Sequence, residues 1–461
     1  MPRATEHPSA RVTSRRAADV PTSQSLTTWQ LVLTAVCFAL LTGLGEAAIL
    51  LGVKVGLGLF IHLGPQVAWM SPVVQLLLFT PPTLVILIGR RLIPKAVTLR
   101  VVVGVFVFLS FASLMFVHQA LHYVAIVLLG LGLAVVAGRH AAANRAQVFR
   151  LVFRVTPALV GVVLLLAGAV EGGRVFQERR ELARQPAAMA GTPNILVIIL
   201  DTVRALNLSL YGYARSTTPN LERLAQQGVV FERAIVTAPW TLPSHASMLT
   251  GRWPLELDGN DIQPLKLKVP TVTEVLRDNG FRTAGFVANS WYLNRESGLT
   301  GGFTHYEDFD RSLGMFLMSS ALVRKITGKN WFRYFFRHYG EFERKEAPQI
   351  NAEVLTWLTG DDRRPFFAFI NYLEAHANYL PPPPFDTIFH LGVRGRRPPL
   401  GDTGYRRAKS EDAVDVEIAA YDGSIAYLDY EVGRLLEELS RRGILDNTLV
   451  IVTADHGEEL T

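Results

Sequence analysis

The chain has 461 residues, 49% of them hydrophobic, and a formal net charge of +6. Its one cysteine, Cys37, excludes an intramolecular disulfide and a cysteine-based zinc cluster. The positive charge comes largely from arginines that flank apolar segments. This argues against nucleic-acid binding, because that function needs a basic face on a folded domain. The apolar residues are concentrated in the first 175 positions, which indicates a membrane domain.

The amino-terminal part is predicted to be an α-helical membrane bundle at residues 27–171, preceded by a disordered cytoplasmic tail at residues 1–26. Its apolar stretches each approach the roughly 20 residues that cross a bilayer as a helix. There are five of them, at 28–50, 71–89, 98–117, 119–138 and 151–170. Arginines precede the first stretch and lie around the gaps after the second and the fourth, with one lysine, Lys95, in the gap after the second. The positive-inside rule therefore predicts a multi-pass protein with a cytoplasmic amino terminus and a periplasmic or extracellular soluble domain.

Two polar features of this part allow more than one interpretation. Glu46, close to the predicted external end of the first stretch, is either a functional polar contact within the bundle or a solvated side chain. The segment 172–191 carries charges of both signs and is predicted to be a juxtamembrane helix or linker that joins the bundle to the soluble domain.

In residues 192–461, strand-like apolar runs alternate with amphipathic stretches, which predicts an α/β domain with a mainly parallel sheet between helices. The predicted strands are 194–201, 229–235, 282–288, 365–372 and 448–454. The predicted helices lie near 219–227, from 243 onward, at 271–279, near 350–359 and near 412–441. The aromatic-rich stretch 308–348 has no clean period and is predicted to be an insertion on the ligand-binding edge.

Two acidic residues stand at the ends of apolar runs. Asp201 follows the run 194–200, and Asp455 comes shortly after the run 448–452. Both runs are uninterrupted and rich in β-branched residues, as buried parallel strands require. Because ligands of open α/β sheets bind at the carboxyl ends of the strands, both acids are expected at that edge.

A third segment supplies a hydroxyl group. Pro243 suits the first position of a helix, so Thr241 is expected just ahead of a helix amino terminus, which favours an anion. Together the segments predict a divalent metal site held by Asp201, Thr241, Asp455 and His456. The histidine favours zinc or manganese, whereas an all-oxygen preference would favour calcium or magnesium. The structural alternative for these residues is a turn or a helix cap.

In chain order, the segments 193–204, 218–221, 241–251 and 453–459 resemble the sulfatase family of the alkaline-phosphatase superfamily. The resemblance implies an alkaline-phosphatase-like α/β domain. An apolar bundle followed by such a domain also resembles the family's membrane-bound phosphoglycerol and phosphoethanolamine transferases. The resemblance thus implies a membrane-anchored hydrolase or transferase whose partners are the lipid bilayer and a phosphodiester, lipid-headgroup or sulfate-ester substrate.

The resemblance also implies roles for individual residues. Sulfatases oxidise a cysteine or serine to formylglycine, but Thr241 stands at that position and would give a ketone, so we expect a phosphothreonine intermediate instead. His376 matches a family histidine that contacts the transferred group or leaving oxygen, and a structural histidine is the alternative. His245 replaces the family arginine and is expected either to donate to a phosphoryl oxygen or to be exposed. Arg204 and Asn289 match substrate-binding positions, with structural hydrogen bonding as the alternative.

Some features depart from the family pattern. Leu206 stands where relatives carry an acid, and the sequence stops at Thr461, where relatives continue into a smaller carboxyl-terminal subdomain. The domain is therefore expected to be truncated. Two alternatives remain open beside phosphoryl or headgroup transfer, namely a sulfuric ester hydrolase of the same fold and a catalytically inactive, truncated relative.

Overall fold

The structure is a computed structural model, and it describes residues 26–57, 64–117, 121–257, 265–308, 313–327, 345–360, 362–377, 379–389 and 411–460. Residues 1–25 of the predicted tail lie outside this set, as do parts of the predicted insertion at 308–348.

The amino-terminal part is helical, as predicted. Its helices are α1 (Thr28–Leu57), α2 (Val67–Leu92), α3 (Leu99–Val117), α4 (Tyr123–Ala143) and α5 (Arg145–Arg184). All five are long and apolar enough to cross a membrane, and each coincides with one of the predicted stretches. Leu31, Val102 and Phe106 are fully buried between them, and these side chains form part of an apolar core inside the bundle.

Helix α5 is longer than predicted, at 40 residues, because the helix continues without a break through most of the mixed-charge segment. Beyond the apolar stretch it lies along the soluble domain. Arg174 Nη1 donates to Glu307 Oε2 at 3.1 Å, and Arg364 Nη1 donates to the carbonyl oxygen of Leu182 at 3.0 Å. The helical interpretation of this segment is therefore confirmed as far as Arg184.

The soluble domain contains a parallel sheet with the strand order β3-β2-β4-β1-β5. The strands are β1 (Asn194–Leu200), β2 (Arg282–Val287), β3 (His305–Glu307), β4 (Phe366–Tyr372) and β5 (Thr448–Thr453). Every residue of β4 is buried, since helices cover both faces of the sheet. Strand β1 lies between β4 and β5, with Ile198 opposite Ile370 and Val452. The two strands that carry the predicted acids are thus neighbours.

Two details of the strand prediction differ from the structure. The short strand β3 was not predicted, and the strand predicted at 229–235 is wrong, because these residues form no sheet ladder. Phe231 and Ile235 are 71% and 89% exposed. The tendency of β-branched residues to form strands depends on packing against neighbouring strands. This run has no such packing in the structure.

Helices of the soluble domain lie on both sides of the sheet. They are α6 (Pro219–Ala225), α7 (Thr241–Thr250), α8 (Val272–Asp278), α9 (Leu313–Met318), α10 (Ala321–Thr327), α11 (Ala347–Trp357) and α12 (Glu411–Arg441). Residues of β1 alternate between two apolar cores: Ile198 packs in the core that contains α11 and α12, and Ile199 packs with α7. This alternation fixes α7 beside the carboxyl end of β1.

The interpretation of Glu46 as a solvated side chain is wrong. Its side chain is fully buried in the bundle. Its two carboxylate oxygens accept hydrogen bonds from Ser71 Oγ at 2.8 Å and from Ser113 Oγ at 2.7 Å. The alternative interpretation, a polar contact between helices, is the one that the structure shows.

Candidate active site

Asp201, immediately after β1, presents one free carboxylate oxygen. Its Oδ2 accepts hydrogen bonds from the side-chain amides of Asn289 and Asn371, each at 3.0 Å. Asn371 lies opposite Ile199 on β4, and Asn289 follows β2, so the strand order brings both amides to this carboxylate. Asp201 is fully buried, yet its Oδ1 has no hydrogen-bond partner among the described residues.

Asp455, after β5, is held in the same way by backbone groups. Its Oδ1 accepts from the N–H groups of Thr202 at 3.1 Å and His456 at 2.8 Å. The left-handed backbone of Thr202, with φ +60°, is part of the turn that aims its N–H at this oxygen. Ser244 of α7 donates to the carbonyl oxygen of Asp455 at 2.6 Å. The Oδ2 atom is buried and has no partner in the described part of the chain.

His456 turns an unprotonated nitrogen towards these acids. Its Nδ1 lies 2.8 Å from the carbonyl oxygen of Gly457, and a carbonyl can only accept, so Nδ1 carries the proton. The Nε2 atom, which carries no proton in this tautomer, lies 3.5 Å from Asp455 Oδ2. A histidine that ligates a metal commonly donates its other N–H to a backbone carbonyl in this way. Ligand atoms of Asp201, Asp455 and His456 all lie within 4.8 Å of one another.

Thr241 adds its hydroxyl to this group. Its Oγ1 lies 3.4 Å from His456 Nε2, and its side chain is almost fully buried. Helix α7 begins at Thr241 itself, two residues earlier than predicted, so Pro243 occupies the third position rather than the first. Proline fits there because the N–H groups of the first turn have no partner within the helix. The hydroxyl therefore lies at a helix amino terminus, as expected.

The electrostatics of the site favour a cation. Burial raises the pKa of Asp201, and the nearby carboxylate of Asp455 raises it further. Burial also raises the pKa of Asp455. Buried carboxylates without a compensating charge are unfavourable, and a metal ion relieves both effects. Two free oxygens, one unprotonated imidazole nitrogen and one hydroxyl fit the coordination chemistry of a divalent cation.

His245 lies beside the site, but its ring is fully buried, so the expectation of an exposed side chain is wrong. Its Nδ1 donates to the carbonyl oxygen of Thr241 at 2.8 Å. Burial lowers the pKa of His245 to about 4, so the ring is neutral near neutral pH and carries its one proton on Nδ1. The ring therefore has no second N–H for a phosphoryl oxygen.

The remaining predicted residues surround the site. Burial raises the pKa of Glu458, as it does that of Asp201, and the nearby ring of His376, which follows β4, acts against both shifts. Asn289 contacts Asp201 directly, as described above. Arg204 donates through Nη1 to the carbonyl oxygen of Glu458 at 3.5 Å, and its backbone N–H donates to Tyr421 at 2.9 Å. These contacts match the structural alternative for Arg204.

Two positions were not assigned a role from the sequence. Asn371 donates a hydrogen bond to Asp201. In the sequence, this residue could have been noticed as the single amide within the otherwise apolar and aromatic strand β4. Thr202 donates to Asp455 from a left-handed conformation, which its residue type does not reveal. Leu206, which departs from the family pattern expected from the sequence, is 77% exposed.

A family model described as Sulfatase matches residues 193–461. Arylsulfatase A of Homo sapiens is 29% identical over 287 residues, which cover 59% of this chain and 53% of that protein. N-acetylgalactosamine-6-sulfatase of Homo sapiens is 25% identical over 303 residues, which cover 58% of this chain and 50% of that protein. The chain spans about half the length of these curated relatives.

Two solved structures are also similar. The phosphonate monoester hydrolase of Agrobacterium radiobacter is 20% identical with a TM-score of 0.45, and the match covers 58% of this chain and 63% of that one. The C-terminal periplasmic domain of EcEptC from Escherichia coli, in complex with Zn, is 17% identical with a TM-score of 0.41, and the match covers 60% of this chain and 69% of that one. The family match itself begins directly before β1 and contains every residue of the candidate site. On this basis the chain belongs to the sulfatase family.

Proposed function

We propose that the protein is a membrane-anchored, metal-dependent enzyme that transfers a phosphoryl or headgroup-bearing phosphoryl group through Thr241. The observation that carries this proposal is that three ligand atoms lie within 4.8 Å of one another, beside a hydroxyl at a helix amino terminus. Carboxylates with purely structural roles would use both oxygens. Here one oxygen of each buried acid lacks a donor among the residues described.

The proposed ligands are Asp201 Oδ1, Asp455 Oδ2 and His456 Nε2, with the Thr241 hydroxyl completing the set. Zinc or manganese suits this mixture of oxygen and nitrogen, and calcium or magnesium would rely on the oxygens alone. When bound, such a cation lowers the pKa of a nearby hydroxyl and offsets the charge of the ester oxygens.

The proposed reaction has two balanced steps. The Thr241 oxygen forms a bond to phosphorus while one ester bond breaks, so the hydroxyl loses a proton and the departing alcohol gains one. His376 is the proposed proton donor to that alcohol, given its position beside Asp201. Water or a second alcohol then attacks the phosphothreonine, and the threonine hydroxyl is regenerated. The free N–H groups at the start of α7 would stabilise the non-bridging oxygens in both steps.

The other predicted site residues are assigned supporting roles in this proposal. Asn289 orients Asp201 through its amide, and Arg204 orients the loop that follows His456. His245 steadies the first turn of α7 through its bond to the Thr241 carbonyl. In each case the contact is with a candidate ligand or its segment, which favours positioning over direct substrate contact.

A sulfuric ester hydrolase is the second candidate function. It is favoured by the curated relatives, which are named arylsulfatase and N-acetylgalactosamine-6-sulfatase. Thr241 weighs against it, because oxidation of a threonine gives a ketone and not the aldehyde of formylglycine. A catalytically inactive relative is the third, and it would not need the cation.

The placement of the enzyme is part of the proposal. The bundle at 27–171 anchors the protein in the bilayer, residues 172–191 connect it, and residues 192–461 form the catalytic domain. The arginine distribution supports a cytoplasmic amino terminus and a catalytic domain in the periplasm or extracellular space. The proposed substrates are phosphodiesters or lipid headgroups, and nucleic acids are not among the proposed partners.

The experiment compares the full-length protein with Thr241→Ala and Thr241→Ser in detergent, after loading with zinc or manganese. Metal content is measured by elemental analysis, turnover with bis(p-nitrophenyl) phosphate, and a phospho-adduct by intact mass. We expect at least one bound metal, an adduct that is absent from Thr241→Ala, and a fall in turnover of about 1,000-fold for that variant, with partial retention by Thr241→Ser.

Three results would count against the proposal. A protein that retains no metal would favour the inactive relative. If the Thr241→Ala variant retained turnover, Thr241 could not be the nucleophile. Cleavage of p-nitrophenyl sulfate in place of the phosphodiester would favour the sulfuric ester hydrolase.

A further inference from the structure

The strands of the soluble sheet run towards the membrane bundle. From the bundle towards its carboxyl end, α5 first contacts the carboxyl end of a strand and then the amino-terminal ends of strands. Arg174 pairs with Glu307 at the carboxyl end of β3, and one turn later Glu178 lies 3.2 Å from His305 at the start of that strand. Still farther along α5, the Leu182 carbonyl oxygen accepts from Arg364, just before β4. The carboxyl edge, which holds the candidate site, is therefore the edge that faces the bundle.

Loops from this edge contact the ends of the bundle helices. Lys54, near the end of α1, pairs with Glu296 at 2.6 Å, in the loop that follows β2 and Asn289. The Glu296 side chain is 8% exposed and that of Lys54 is 38% exposed, so the ion pair lies at the edge of the contact between the two parts of the protein. A single ion pair that water still reaches adds little stability, so this contact is informative about the position of the loop and not about its energy. It indicates that the loop beside the candidate site lies directly over the end of α1.

Helices α9 and α10, which follow β3, form a second and more buried contact. Phe316 of α9 packs against Trp69 of α2, with ring centroids 6.3 Å apart. Between the two short helices, Ser320 Oγ accepts a hydrogen bond from Gln75 Nε2 of α2 at 3.1 Å. Both Ser320 and Gln75 are fully buried, so this polar contact is shielded from solvent.

The Gln75–Ser320 contact belongs to a longer chain of hydrogen bonds, which we call the docking network and define as Glu46, Ser71, Gln75, Ser113 and Ser320. Gln75 Nε2 also contacts Ser113 Oγ at 2.8 Å, and the Ser113 hydroxyl in turn donates to Glu46. Ser71 donates to the other oxygen of Glu46. The network thus links α1, α2 and α3 to the segment between α9 and α10.

Close packing protects the network. A Cβ atom on Gly43 of α1 would lie 2.2 Å from the Cα atom of Pro72 in α2, so these two helices touch backbone to backbone beside Ser71. Ionisable and polar groups buried in a membrane are unfavourable unless paired, and they usually mark function. A polar chain that ends on the soluble domain has a clear structural use, which is to hold that domain in one orientation.

We propose that the docking network fixes the candidate site against the bilayer surface and thereby makes the enzyme specific for ester substrates that are anchored in the membrane. This inference rests on the proposed function and names the substrate class of the same site. A lipid headgroup reaches the carboxyl edge of the sheet from the bilayer side. The network determines specificity without touching substrate, because none of its members belongs to the candidate site.

The test compares two substrates in one preparation of full-length protein reconstituted into vesicles. One is soluble bis(p-nitrophenyl) phosphate, and the other is a phospholipid of the vesicle, phosphatidylglycerol or phosphatidylethanolamine. The variants are Gln75→Leu and Ser320→Val, which remove the link to α10. The matched control is Thr42→Val, because Thr42 Oγ1 bonds Ser110 Oγ at 2.7 Å and joins α1 to α3 without reaching the soluble domain.

We expect Gln75→Leu and Ser320→Val to retain kcat/KM for the soluble ester within about twofold and to lose about tenfold for the phospholipid, in line with the loss of one buried hydrogen bond. Thr42→Val should leave the ratio of the two activities unchanged. As an independent readout, Gln75→Cys with Ser320→Cys, in a Cys37→Ser background, should be joined by a short bifunctional thiol crosslinker, because a cysteine is shorter than the glutamine that it replaces and a direct disulfide would not span the gap.

Other outcomes separate the two proposals. If the pair of cysteines does not crosslink, or if both activities fall equally in the network variants, the docking inference is overturned while the proposed function stands. If phospholipid turnover is unaffected by either variant, the inference is likewise overturned. A native protein that cleaves neither ester and forms no adduct at Thr241 overturns the proposed function, and the specificity argument with it.

Discussion

Replacing Asp201 by asparagine is expected to change stability in opposite directions, depending on whether a divalent cation is present. In the structure one oxygen of Asp201 is held by two amides and the other is free and buried. An asparagine can keep the first arrangement with its oxygen. Its new N–H groups then face the free oxygen of Asp455. Without a cation, the substitution replaces the repulsion between the two carboxylates by an attraction between an amide N–H and a carboxylate. With a cation, the substitution removes one of the metal ligands.

The size of the effect follows from the separation of the two groups. Ligand atoms of Asp201 and Asp455 lie within 4.8 Å of each other, which at an effective dielectric constant of about 20 corresponds to a repulsion of about 3.5 kcal/mol between two full charges. Burial raises the pKa of both groups, so part of this repulsion is already relieved by protonation. We therefore expect Asp201→Asn to stabilise the cation-free protein by about 1 to 3 kcal/mol. A cation at 100 times its dissociation constant should stabilise the native protein by about 2.7 kcal/mol, which the variant loses.

The assay is unfolding of the full-length protein in detergent, followed by the fluorescence of its tryptophans, once in chelator and once in zinc or manganese. The matched control is Asp429→Asn. Asp429 is also a buried carboxylate, but its oxygens accept hydrogen bonds from the backbone N–H groups of Asn220 and Leu221 and from the Asn220 amide, at 2.8 to 2.9 Å. This control should lose stability equally in both conditions. If Asp201→Asn behaves like the control, Asp201 is a structural acceptor and the metal site is refuted.

Three further predictions follow from particular contacts. Asn371→Ala should weaken cation affinity, measured by titration calorimetry, about 10- to 100-fold, whereas Asn351→Ala, which removes a buried amide bonded to Glu431, should lower stability alone. The unfolded chain binds more protons than the folded one between the ordinary His245 pKa of 6.5 and its lowered value of about 4, so stability falls as the pH drops through this window. At pH 4.5 this loss amounts to about 2.5 kcal/mol, and His245→Gln should abolish it in denaturant titrations. Gly43→Ala should overpack the contact between α1 and α2, lower the free energy of unfolding by about 1 to 3 kcal/mol and so lower the melting temperature. Gly52→Ala is the control, because the space around its Cβ position is open, and it should leave the melting temperature unchanged.

The sequence predicted the parts of this protein that depend on local pattern. Uniform apolar stretches predicted five membrane helices, and uninterrupted β-branched runs predicted β1 and β5 with an acid after each. Parallel strands all end at one edge, so the convergence of Asp201 and Asp455 could be expected although 254 positions separate them. The prediction that Thr241 stands at the start of a helix followed from Pro243, with an error of two residues.

The details that depend on tertiary contacts could not be predicted. Which oxygen of Asp201 is free depends on Asn371, and this residue becomes a neighbour only because β4 pairs with β1. The run 229–235 has the composition of a strand but packs against no other strand. Glu46 looked solvated because it lies near a predicted membrane boundary, and its burial arises from serines on two other helices. In each case a distant partner decides the outcome.

Because α5 is longer than a bilayer core is thick, we expect the position of the soluble domain to depend on the thickness of the membrane. A helix of 40 residues is about 60 Å long, roughly twice the thickness of a bilayer core of about 30 Å. Helices adjust to thinner or thicker bilayers by tilting, and a tilt of about 10° would displace the far end of the outer half sideways by ~5 Å. The outer half of α5 lies against the starts of β3 and β4. A change in acyl chain length would therefore change the tilt of α5 and, through it, the position of β3 and β4 relative to the membrane.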